Sequence, residues 1–97
     1  MTLQDKIKSI RTREAEFEGV PCRVKVYPEK QFRAIIQSFQ GGEDGAIAAA
    51  LSEQFLTEAG DPLFAADFLL SDDVPLCVIT DLGKLFAEVN TGMYKKK

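Results

Sequence analysis

Histidine and tryptophan are absent from these 97 residues, and cysteine occurs only at Cys22 and Cys77. Without histidine, zinc chemistry loses its usual nitrogen ligand, and neither an HExxH nor a CxxC spacing takes its place. The same gap weakens nucleophilic catalysis, because a thiolate needs a base and an orienting group, and only lysines or carboxylates remain for those roles. The fifteen carboxylates contain no pair that the sequence places across a cleft. Asp67, Asp72 and Asp73 lack the spaced oxygen-ligand pattern of a calcium loop and read as a solvated capping cluster. The glycine-rich stretch Gly41-Gly42-Glu43-Asp44-Gly45 lacks the lysine and Ser/Thr of a phosphate-binding loop, and its two carboxylates repel phosphate. The expectation is a protein that is not an enzyme and uses no cofactor and no metal.

Long apolar runs are also missing. None approaches the roughly 20 residues needed to cross a bilayer, and the opening MTLQDKIKSI lacks the apolar stretch of a secretory signal. No membrane association is expected. Both cysteines sit within apolar runs, where a free thiol packs as a small buried hydrophobe, so the reducing cytoplasm is the simpler setting, with a Cys22–Cys77 disulfide left open. Positive charge is in deficit, twelve Lys and Arg against fifteen Asp and Glu for a net charge of -3. Lys6, Lys8, Arg11 and Arg13 are interleaved with Asp5, Glu14, Glu16 and Glu18, and the Lys95-Lys96-Lys97 tail is short. Neither offers a phosphate backbone a continuous footing, so no nucleic-acid partner is expected.

What is present is an ordinary globular composition, 45% hydrophobic and 28% charged, which places residues 1–97 in one domain with a small core. Thr2 can cap a helix over about residues 3–12, with Asp5 completing a capping box, and Leu3, Ile7 and Ile10 at helical spacing. One thin apolar stripe under a highly charged outer face makes residues 1–13 a lid, an arm, or an element that orders against something else. From Ala15 the period becomes two: Ala15 and Phe17, then after Gly19 the set Cys22, Val24 and Val26, which is a hairpin with an acidic outer face on one strand and a basic one on the other.

Pro28 opens a helix to about Gln40, with Phe32, Ile35, Ile36 and Phe39 as its apolar stripe, and Gly41 and Gly42 stop it. A further helix begins at Glu43 or Asp44, carries Ile47, Ala50, Leu51, Gln54 and Phe55 down one side and ends at Gly60. Asp61-Pro62 reads either as a cap and first helical position or as a turn. Ser71-Asp72-Asp73 breaks the segment that follows, and a last helix runs from near Val74 to about Asn90, burying Cys77, Val78, Leu82, Leu85, Phe86 and Val89 before Thr91 and Gly92 close it. Residues 93–97 read as a flexible tail. The fold class is therefore α+β and predominantly helical, an N-terminal β-hairpin packed on a small helical bundle.

Large apolar residues occur in nearly every element. Leu63, Phe64, Phe68, Leu69 and Leu70 crowd one short segment, more than one face of a short helix can hide. Either this segment threads through the centre of the core, or its surplus apolar surface marks a protein-binding or self-association site. The candidate protein-binding residues are Phe32, Ile36, Phe39, Leu63, Phe64, Phe68 and Leu69.

The stretch AGDPLFAADFLLSDDVPLCVITDLGKLFAEVN resembles the end of the tail assembly chaperones of long-tailed bacteriophages, with matching positions Gly60, Asp61, Pro62, Leu63, Phe64, Asp73, Leu82, Phe86 and Asn90. The hairpin-to-helix stretch EFEGVPCRVKVYPEK is also similar, while the order Gly60-Asp61-Pro62 departs from that family's usual turn. The resemblance implies a chaperone that coats the long helical tape measure protein before tail tube subunits polymerise around it. It also implies a homo-oligomer, acting in the cytoplasm of the bacterial host and absent from the mature virion. Family members are often made in a minor longer form by ribosomal frameshifting, and Lys95 to Lys97 are compatible with a slippery codon run. The competing reading from composition is another small phage or bacterial structural or adaptor protein, such as a neck or tail-completion component.

Overall fold

The computed structural model describes residues 2–41 and 44–95. The Thr2 hydroxyl accepts from the Asp5 amide at 3.2 Å while the Asp5 carboxylate accepts from the Thr2 amide at 3.4 Å, the reciprocal capping box of α1 (Leu3–Ser9). This helix is shorter than the expected span of residues 3–12, because Ile10 is already extended and the first strand begins at Thr12. None of its residues is buried.

β1 (Thr12–Phe17) and β2 (Val20–Lys25) form the antiparallel hairpin, with Ala15 opposite Cys22 and Glu14 opposite Arg23. Ala15, Cys22 and Val24 enter the core, as period-two alternation requires. Glu18 and Gly19 take φ values of 51° and 78°, the paired positive φ of a type I′ turn whose twist matches the strands. The acidic and basic outer faces meet in a Glu14–Arg23 pair at 4.0 Å, solvent-accessible and worth only a few tenths of a kcal/mol.

α2 (Glu29–Gly41) starts directly after Pro28, and its Phe32, Ile35, Ile36 and Phe39 stripe packs against the core. The expected break at Gly42 and start at Glu43 lie outside the described residues. α3 (Asp44–Gln54) ends well before Gly60. Instead, Phe55–Leu56 form β3, antiparallel to β2 through Arg23↔Leu56 and Val24↔Phe55, so the sheet order is β1-β2-β3. The cause is tertiary. The open edge of β2 supplies ladder bonds to two residues that would otherwise continue a helix, and Phe55 is fully buried from its strand position. Residues 57–63 then turn back on themselves, the Thr57 amide donating to Asp61 O at 2.7 Å and the Leu63 amide to Phe55 O at 3.0 Å. Asp61-Pro62 is thus a turn, with Pro62 bridged to Leu56.

α4 (Ala66–Leu69) is a single turn that ends before Ser71, and α5 (Leu76–Thr91) follows, with Pro75 as its N-cap. Gly92 closes α5 at φ 77°, where the Met93 amide donates to Glu88 O at 2.8 Å and the Gly92 amide to Val89 O at 3.4 Å. That pair of bonds is a Schellman ending, and the left-handed position is one that glycine occupies at least cost.

Phe86 is the hub of the core. It is fully buried, with ring centroids 6.0 Å from Tyr27, 5.6 Å from Phe32 and 5.9 Å from Phe39. Leu82, Leu85 and Val89 complete the sealed stripe of α5. Asn90 ties the helix end to the sheet: its Oδ1 accepts from the Tyr27 amide at 2.9 Å and its Nδ2 donates to Lys25 O at 3.1 Å and Phe86 O at 3.0 Å.

Two expectations are corrected here. Cys77 is exposed, not buried, because it stands on the first turn of α5 outside both the buried stripe and the groove lining, while Cys22 is buried and both thiols are free. The tail is not loose from Met93 onward: Tyr94 packs on the core and its hydroxyl accepts from the Glu16 amide at 3.0 Å, satisfying a donor on the β1 edge. The chain is α+β, mostly helical, with the N-terminal hairpin packed near the helices.

Candidate partner-binding groove

An apolar groove of about 730 Å³ opens on the flank of α5 facing away from the sheet. Leu51 of α3 and Leu69 of α4, both buried, form its depth. Phe39 and Ile47 wall it from α2 and α3. Along α5 it is lined by Leu76, Ile79, Gly83 and Ala87, positions i, i+3, i+7 and i+11, which stack on one face at helical period. This face lies about a third of a turn round from the sealed stripe of Leu82, Leu85, Phe86 and Val89.

Gly83 and Ala87 are the reason the groove is a trough. Small residues at consecutive turns leave a channel between the larger side chains, and a Cβ built at Gly83 meets nothing within 4 Å. At the rim stand two large apolar side chains left in solvent, Leu70 at 50% exposure and Leu76 at 76%. The hydroxyls in the wall are engaged locally, Ser71 donating to Phe68 O at 2.6 Å and Thr80 to Leu76 O at 3.3 Å, so they offer a partner little demand for hydrogen bonding. Asp72 and Asp73 are exposed in the connection between Ser71 and Val74, both of which line the groove.

The candidates from the sequence divide. Phe39 and Leu69 line the groove, Leu69 from within the core. Phe32 and Ile36 pack inward, and Phe32 stands against Phe86. Leu63 and Phe64 lie half-buried on the core, Phe64 with its ring centroid 5.9 Å from that of Phe55. Phe68 is 53% exposed but lies outside the groove lining. Leu70, part of the crowded apolar segment though not among the candidates, lines the groove, and the sequence reading missed Leu76, Ile79, Gly83 and Ala87, although these four form a second helical stripe that a wheel drawn from Leu76 displays.

A second hollow, larger and shallower, lies between α1 and the end of the sheet, where Ile7 and Ile10 face Val26, Tyr27 and Val89. Its charged lining is mostly basic, Lys8, Arg11, Arg13 and Lys25 against Glu14.

Burial pushes the Cys22 thiol above its ordinary 9.0, away from the thiolate form. The Tyr27 hydroxyl is raised by burial and then by the charge of Glu53. Among the described residues no group of three or more Cys, Asp or Glu side chains is placed to hold a metal ion, and no helix is long and apolar enough to cross a membrane. No protein family, described protein or solved structure matches the chain.

Proposed function

We propose that this chain is a non-enzymatic assembly chaperone of long-tailed phage tails, which holds the helical tape measure protein in the host cytoplasm, acts as an oligomer and leaves before the virion is complete. The observation that carries the reading is the solvent-open groove along Leu76, Ile79, Gly83 and Ala87, rimmed by exposed Leu70 and Leu76. The sequence resemblance at Gly60 to Asn90 supplies the identity of the client.

Physically, a trough floored by small residues on one helix accepts the side-chain ridge of another, so an amphipathic client helix lays its apolar face there and expels water. The charged exterior of the chaperone then faces solvent in place of the client's apolar stripe. A groove this short binds each helical segment weakly. Many copies along one rod convert weak sites into firm coverage, because each bound copy raises the local concentration of the next contact.

Co-expression with a tape measure protein tests the idea. The expected result is a soluble complex that co-elutes in size-exclusion chromatography and is lost with Gly83→Arg, a substitution that enters open space and fills the trough. A tape measure protein that stays insoluble beside the wild-type chain, or is held equally well by the folded Gly83→Arg variant, sinks the proposal. Proteomics of purified virions separates it from a neck or tail-completion role, which requires the protein to be retained.

A further inference from the structure

α1 is built as a helix but stands across an open hollow from the sheet, and none of its residues is buried. Both ends are satisfied locally, by the Thr2–Asp5 box and by the Ile10 amide donating to Ile7 O. Yet Leu3, Ile7 and Ile10 remain 73%, 58% and 41% exposed. Isolated helices shorter than about 12–15 residues are marginal in water, so a seven-residue helix needs a surface to persist. The groove has the opposite lack: an apolar floor and no ridge in it.

Charge identifies which ridge fits. Residues 2–13 carry Lys6, Lys8, Arg11 and Arg13 against the single carboxylate Asp5. At the rim of the groove, Asp72 and Asp73 stand exposed between Ser71 and Val74, which line it, and outweigh Lys84, the charged residue of its lining among the described residues. Length fits as well. The Leu3–Ile7–Ile10 stripe covers about 10 Å of helix axis, and the floor from Leu76 to Ala87 about 16 Å.

We propose that the α1 arm of one copy docks in the α5 groove of a second copy, with Leu3, Ile7 and Ile10 over Gly83 and Ala87 and the arm's cations beside Asp72 and Asp73. This inference rests on the reading of the groove as a helix-binding site and names its resident occupant. The two surfaces are different patches of one chain, so the contact is heterologous, and every added copy still presents one free arm and one free groove. Association therefore continues into rings or open chains instead of stopping at a dimer. A client helix competes with the arm for the same trough, which makes self-association a holding state that the client displaces.

Sedimentation velocity over a wide concentration range tests this with full-length chains. Wild type is expected to show a sedimentation coefficient that rises with concentration and falls back as salt screens the charges. Ile7→Asp, at an exposed position, and Gly83→Arg, in open space, are each expected to stay monomeric while keeping the wild-type circular dichroism spectrum. Mixed together they are expected to form a one-to-one dimer that grows no further, since only the arm of the Gly83→Arg chain and the groove of the Ile7→Asp chain are intact.

The pair Asp72→Lys/Asp73→Lys, confined to exposed side chains, provides a second probe and is expected to weaken wild-type association at least about tenfold, with Lys6→Glu/Lys8→Glu in the same chain restoring it. A wild-type protein that is monomeric throughout, or an Ile7→Asp variant that associates like wild type, overturns the proposal. If Ile7→Asp leaves assembly unchanged while Gly83→Arg still releases the tape measure protein, the groove reading stands and only the arm's role is lost.

Discussion

The two flanks of α5 differ in a way their composition does not announce. On the sheet side, Leu82, Leu85, Phe86 and Val89 are sealed beneath the hairpin and α2, and Asn90 pins the end of the helix with three hydrogen bonds. On the other side, Leu76, Ile79, Gly83 and Ala87 form an equally regular stripe that opens to solvent. One stripe makes the fold, and the other is left over for something else. The difference is one of side-chain size: Phe86 reaches three aromatic neighbours, while Gly83 and Ala87 reach none and leave a trough.

The comparison can be broken at several points. Phe86→Ala removes the hub of the sealed flank, and the expected loss of stability in denaturant unfolding is about 3–5 kcal/mol. That is a large share of the roughly 5–15 kcal/mol that keeps a domain folded, so the variant should unfold at a markedly lower denaturant concentration. If it loses no more than an exposed position does, the sealed flank is not sealed.

The cysteines report the same contrast without a core mutation. Cys77 is exposed on the first turn of α5, while Cys22 is buried and is reached only when the core opens, an event that costs several kcal/mol. A thiol reagent at neutral pH should label one cysteine per native chain, with Cys77 at least about a hundredfold faster, and two after unfolding. Because the folded Cys22 thiol keeps its proton at a pH where the unfolded thiol releases it, the unfolded state binds fewer protons above 9.0, and stability should decline as pH rises past that value. Equal labelling of both thiols in the native chain contradicts the burial of β2.

Asn90→Ala should cost about 1–3 kcal/mol, because it removes the acceptor of the Tyr27 amide and a shared donor to the Lys25 and Phe86 carbonyls at the sheet–helix junction. The amide exchange rate of Tyr27 should rise in that variant ahead of the α2 amides. The smallest effect belongs to the open flank. Gly83→Ala sits in a helix interior with free space around the new methyl, so it should stabilise by about 0.5–1 kcal/mol through helix propensity, measured as a higher midpoint of thermal unfolding. A loss of stability there would mean that the trough is already filled.

Much of the fold was legible from residues close together in the chain. The Thr2–Asp5 box, the Glu18-Gly19 turn, the Phe32 to Phe39 stripe and the Gly92 ending all depend on interactions across a few positions. β3 was not legible, because Phe55 and Leu56 follow a helical pattern without interruption, and only the free edge of β2 makes a strand the better use of them. The binding candidates chosen by apolar excess point mostly inward for a related reason. Phe32, Ile36, Leu63 and Phe64 are large enough to reach the core from several elements and do so, while the trough is defined by residues too small to attract notice.

Local periodicity, caps and turns were therefore decided by the sequence by itself, together with the charge asymmetry between residues 2–13 and 66–84. Only the tertiary structure decided which stripe of α5 would be covered. That choice depends on which neighbours arrive: the hairpin and α2 close over one flank, while the single turn of α4 and the exposed Leu70 and Leu76 leave the other open.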